Sequence, residues 1–107
     1  MGTTPMDAED GRAAALGWAA HLRQVRASIL SALGSGELSI EGCFELHEDP
    51  AVAAIHVGRL LESVPGIRKV DARRALDSAG IAGDVSLGAT PVRERAVVVE
   101  IANSLRT

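Results

Sequence analysis

The 107-residue chain is poor in aromatic rings, with one Trp, one Phe and no Tyr. A binder of single strands stacks bases on several such rings, so that class is excluded. The one cysteine, Cys43, can form no internal disulfide; its apolar surroundings point to inert burial in a reducing compartment. No apolar run approaches the roughly 18 residues that cross a bilayer. The opening MGTTPMDAEDG is acidic, where a secretory leader would be basic and then apolar. The expectation is a soluble, cytoplasmic protein with no membrane partner. His21, His47 and His56 lack metal-ligand spacing, and no Gly-rich phosphate loop ending in Gly-Lys-Ser/Thr occurs. Ser and His occur without a nucleophile elbow or an orienting carboxylate. No metal, no cofactor and no enzymatic activity are expected.

Aliphatic residues supply most of the 47% hydrophobic content, enough to exclude a disordered chain and to build one modest core. The net charge of -3 hides an uneven distribution. From Met1 to Val57, Arg12, Arg23 and Arg26 stand against Asp7, Glu9, Asp10, Glu37, Glu41, Glu45, Glu48 and Asp49. From Gly58 to Gly80 the balance reverses, with Arg59, Arg68, Lys69, Arg73 and Arg74 against Glu62, Asp71 and Asp77. A polyanion would be repelled by the first half and attracted by the middle, so an acidic total does not exclude nucleic acid.

The periodicity predicts an all-α protein. Residues 1–10 read as a flexible tail, and 11–107 as a single helical domain. GRAAALGWAAHLRQVRASILSALGSG is one long helix stopped by Gly34-Ser35-Gly36. Trp18, Leu22, Val25, Ile29 and Ala32 form an apolar stripe along it, widened by Leu16, Leu30 and Leu33, and read most simply as core. Ser39 caps a second helix running through Cys43, Phe44 and Leu46. Asp49 caps a third with Pro50 at its first position, broken at Gly58 before RLLESV continues. VDARRALDSAG is a helix terminated by Gly80, and Thr90-Pro91 caps a last helix through Ser104. ERAVVVEIA is rich in β-branched residues, but a lone strand has no partner, so it is read as helix.

The most specific pattern is LLESVPGIRKVDARRAL: an apolar helix end, a Pro-Gly-Ile turn, then Ala72 and Leu76 on the next helix. It matches a helix-hairpin-helix. Gly66 permits the tight turn, Ile67 plugs the space between the helices, and Ala72 lets them approach. The turn's N–H groups and the second helix's N-terminus then face outward, placed to hydrogen-bond a phosphate without reading a base. Arg68 stands where such hairpins carry a second glycine, and Lys69 and Arg73 add positive charge. The plainer reading is a solvated face with ion pairs such as Asp71 with Arg74.

The order and spacing of these pieces, with VGRLLESVPGIRKVDARRALDSAGIA at their centre, resemble the actinobacterial integration host factor family from about Gly11 onward. The resemblance implies a long N-terminal helix packed on a small helix-two-turns-helix domain like that of a small-subunit ribosomal protein. It implies a nucleoid-associated protein that binds double-stranded DNA. Arg93 and Arg95 match the basic pair that opens the family's last helix and join Gly66, Ile67, Arg68, Lys69 and Arg73 as expected DNA contacts. Where the family carries an arginine cluster after DSAGIA, this chain has Gly83, Asp84, Val85, Ser86, Leu87 and Gly88. Its first helix is also less basic than the family's. Losing about four or five phosphate contacts weakens binding by several decades. The competing expectation is therefore a divergent paralogue that binds a protein partner through the acidic half or the Trp18 helix. DNA glycosylases share such a hairpin-bearing domain, but their catalytic domain, N-terminal proline and zinc-binding cysteines are absent.

Overall fold

The computed structural model describes residues 4–106, which form six α-helices and one short 3-10 helix. Helix α1, Thr4–Ser35, is 32 residues long, a rod of about 48 Å at 1.5 Å per residue. It begins inside the segment read as a tail, of which residues 1–3 lie outside the described residues. Its end is set by Gly36, whose φ of +83° suits glycine alone.

Local chemistry explains the next two starts. At α2, Ile40–Glu45, the Ser39 hydroxyl accepts the Gly42 N–H at 3.0 Å. At α3, Pro50–Ala53, an Asp49 carboxylate oxygen accepts the Ala51 N–H at 2.9 Å, and Pro50 occupies the first turn, where its missing N–H costs nothing. Helix α4, Val57–Ser63, follows after a break at residues 54–56. Gly58 therefore lies inside α4 and does not interrupt it. The Pro65-Gly66 turn leads into α5, Lys69–Ala79, which ends at Gly80 in the left-handed conformation. The Ile81 N–H then reaches back to the Leu76 carbonyl at 2.9 Å.

Residues 81–86 return across the start of α4, followed by the 3-10 helix Leu87–Ala89 and by α6, Val92–Leu105. The β-branched run Val97-Val98-Val99 is helical. Thr90 does not cap α6. It is buried, and its hydroxyl donates to the Ser86 carbonyl at 2.9 Å, fastening the 3-10 turn.

Leu33, Cys43, Val57, Leu60, Leu61, Leu76, Leu87 and Val98 are almost fully enclosed. Each large aliphatic buried this way contributes about 1.5–3 kcal/mol. Helix α6 lies against α5 and α2, while α1 lies against α3 and α4. Among the described residues, α1 joins this core through its second half, by Val25, Ile29, Leu30 and Leu33. The Trp18 stripe is thus core in its C-terminal part only. Trp18 itself stays 45% exposed and Leu16 66%, because the globule ends before the helix does.

Candidate nucleic-acid interface

The hairpin joins α4 to α5. Its turn depends on Gly66, whose φ of +87° strains any residue with a Cβ. A Cβ there would also lie 3.6 Å from the Arg106 carbonyl oxygen, so the C-terminal end of α6 rests on the turn. Ile67 is buried between the helices, as its plug role requires. Its N–H donates to the Val64 carbonyl at 3.1 Å, which withdraws one of the donors expected to face outward.

The start of α5 remains open. Arg68 holds the N-cap position in an extended conformation, and its side chain makes no cap. The N–H groups of Lys69, Val70 and Asp71, the first residues of the helix, have no backbone partner among the described residues. They point along the axis with the positive end of the dipole behind them. Arg68 and Lys69 are exposed beside them, and Arg73 follows one turn later. The Arg68 guanidinium donates through Nε to an Asp71 carboxylate oxygen at 3.1 Å. Asp71 thus pairs with Arg68, and among the described residues Arg74 forms no ion pair with it. With the arginine side chain 83% exposed, that pair is worth less than about 1 kcal/mol and yields readily to a phosphate.

Arg93 and Arg95 lie elsewhere. They sit in the first turn of α6, whose other end meets Gly66. At 1.5 Å per residue, Arg95 is about 16 Å along the axis from the hairpin. Arg93 is exposed, whereas Arg95 is half-buried. Its Nε donates to the Thr90 carbonyl at 2.9 Å, and its guanidinium lies 5.9 Å from the centre of the Phe44 ring. Arg95 therefore secures the start of α6 against α2, leaving only part of its fork free. The seven expected contacts divide into a hairpin group and a distant pair.

Linear spacing missed two cations. Arg59 borders the same cleft of about 420 Å³ as Arg73, together with His56, Glu62, Asp77 and Asp84. Arg59 pairs with Glu62 at 3.8 Å. The mixed charge of that cleft gives it no preference for anions. Arg106 is exposed beside Pro65 and Gly66, brought there by the length of α6. Nothing short of the helix packing announces either position.

The segment standing in place of an arginine cluster has its own structural task. Residues 83–87 cross the start of α4 as a strap. The Val57 N–H donates to the Val85 carbonyl and the Gly58 N–H to the Gly83 carbonyl, both at 2.9 Å, while the Leu87 N–H donates to the Ile55 carbonyl at 2.8 Å. A Cβ on Gly58 would come within 2.9 Å of the Gly83 carbonyl oxygen, and one on Gly88 within 2.7 Å of the Ala53 Cβ. Any side chain at Gly88, arginine included, is thus excluded by contact with α3.

Cys43 is fully buried, and desolvation pushes its thiol up to about 11, so it stays protonated and unreactive near neutral pH. No described helix is long and apolar enough to cross a membrane.

These features define a small helical domain built around a hairpin whose second helix opens toward solvent. The same fold occurs in the solved structure of sIHF bound to an 8-bp palindromic DNA, with a TM-score of 0.69 and 22% sequence identity over 83% of this chain and 98% of that one. No protein-family model matches the sequence, and no curated protein does. The likeness is one of fold.

Proposed function

We propose that the protein is a non-enzymatic binder of double-stranded DNA, working on the nucleoid in the cytoplasm and contacting phosphates without reading sequence. The observation that carries this reading is the open start of α5. Its free N–H groups stand beside Arg68 and Lys69, on a fold shared with a protein solved on DNA. The backbone of Gly66 shapes the turn, Ile67 holds it by packing, and Arg68, Lys69 and Arg73 supply charge. Arg93 and Arg95 offer a second contact about 16 Å away along α6. The resemblance of the sequence to integration host factors supports the same assignment.

A second reading has one specific observation in its favour. The strap at 83–88 carries Asp84 and no basic residue, which suits a divergent paralogue with lost DNA affinity that acts through protein contacts.

Fluorescence anisotropy with a random-sequence duplex of about 20 base pairs, repeated across a salt series, separates the two. Log affinity falling against log salt with a slope of about 3–4, at roughly 0.9 per phosphate, is the expected result. No binding at about 50 mM salt overturns the proposal and leaves the paralogue reading.

A further inference from the structure

Helices α2 and α6 leave an open groove of about 520 Å³ between them. Phe44, Ala96 and Val99 give it an apolar floor. Val92, 76% exposed, continues the α6 wall one turn further, at the i, i+4, i+7 spacing that keeps Val92, Ala96 and Val99 on one side of the helix. Glu41 and Glu45 form the rim, one turn apart on α2, and neither carboxylate has an ion-pair or hydrogen-bond partner among the described residues. The other polar side chains of the groove are engaged. Arg95 donates through Nε to the Thr90 carbonyl and lies by the Phe44 ring, and His47 Nδ1 is 2.9 Å from the Phe44 carbonyl oxygen. Two free carboxylates thus outnumber the one arginine. Like charges one turn apart repel each other, and a groove of this composition suits a basic element that carries an apolar side chain.

The chain carries such an element itself. Val70 is the exposed large hydrophobic of α5, at 59%. Arg73 and Arg74, three and four residues on, flank it on the same face. Both are exposed, and neither forms an ion pair among the described residues. Asp77 follows a turn later, so the charges next to Val70 are two cations, with one anion beyond them. Laid across α2, α5 would set Val70 in the groove and its two arginines against Glu41 and Glu45.

A step of two residues turns a helix by about 200°. On α6 that step separates Val99, in the groove, from Ile101, which borders α5 at Ala75. On α5 it separates Ala75 from Arg73. The groove and the basic face therefore look out from opposite sides of the α5–α6 pair, so neither one chain alone nor two chains together can close the contact. We infer that the outer face of α5, anchored by Val70, docks in the α2–α6 groove of a second copy of this chain, head to tail, in an interface that repeats from copy to copy. A contact of one helix face belongs to the small, transient class, below about 1,200 Å², and its charges make it sensitive to salt. Arg73 is shared with the duplex contacts proposed above, but the inference does not rest on them.

Sedimentation of the full chain without DNA, across concentration and salt, tests the inference. At low salt the average mass is expected to climb past twice the 11.1 kDa of one chain as concentration rises, and to fall back as salt is added. Val70→Asp removes the anchor, and Ala96→Arg fills the groove and reverses its charge. Both positions are exposed, so each variant is expected to keep the parent's helical circular dichroism and to lower self-association by about tenfold or more. Glu45→Lys is a second groove variant with the same expected loss. An equimolar mixture of Val70→Asp and Ala96→Arg chains retains one working face from each, and should form a two-chain species and nothing heavier. A mass of one chain at every concentration overturns the inference, as does growth of the parent that stops at two chains. So do variants that associate as the parent does, or a mixture that stays at the mass of one chain.

Discussion

Helices α4 and α5 both begin without a side-chain cap, and they differ in what meets their first N–H groups. At α4 the chain answers its own need: the strap presents the Gly83 and Val85 carbonyls to the Gly58 and Val57 N–H groups. At α5 no carbonyl crosses, and the residues beside the opening are Arg68 and Lys69. One helix start is closed by backbone and carries mixed charge, Arg59 beside Asp84, while the other is left to solvent and is basic. The same four-donor deficit serves stability in the first case and is available to a ligand in the second.

Substituting each side in turn can break or sharpen that contrast. The largest effect is expected at the closed end. Gly58→Val drives a side chain into the Gly83 carbonyl, combining overpacking with loss of strap hydrogen bonds, for about 3 kcal/mol in total. A urea titration reads this as a lowered midpoint. Arg68→Ala at the open end should shift the same midpoint by less than about 0.5 kcal/mol. Next comes charge reversal of the open end. Arg68→Glu with Lys69→Glu removes about two phosphate contacts, flattening the salt slope by about 1.8 and lowering duplex affinity at low salt by tenfold or more. Unchanged binding would place the DNA contacts outside the hairpin.

A smaller effect sharpens the contrast by making the closed end basic. Asp84 is exposed, and Asp84→Arg is expected to steepen the salt slope by about 0.9 if the strap faces the duplex, with no loss of thermal stability. An unchanged slope would assign the strap to structure alone. The smallest effect concerns the Arg68–Asp71 pair. Asp71→Asn releases the guanidinium and should raise duplex affinity about two- to threefold, with stability changed by less than about 0.5 kcal/mol.

The sequence made these two ends unequally legible. Ser39, Asp49 with Pro50, Gly66 and Gly80 act on backbone groups within a few residues, so their caps, turn and stop are found where the letters place them. Gly58 reads locally as a helix breaker, yet its reason is tertiary: the Gly83 carbonyl arrives from far along the chain. Thr90 before Pro91 reads as a cap, but burial turns its hydroxyl back to Ser86. Trp18 continues a stripe that is core further down, and the letters do not mark where the globule stops. The expected site was split for a similar reason. Arg93 and Arg95 join the hairpin by resemblance, whereas the direction of α6 sets them at its far end and brings Arg106 to Gly66 instead.

The strap also decides how the molecule breathes. Its bonds join Ile55, Val57 and Gly58 to residues beyond the entire α4–α5 hairpin, so they cannot open singly as frayed helix ends do. In deuterated solvent, the Val57 and Gly58 amides should retain their protons until the whole domain opens, while those of Lys69, Val70 and Asp71 exchange from the folded state. The amides available to a phosphate are thus the ones water already reaches, and occupying them requires no part of the fold to come undone.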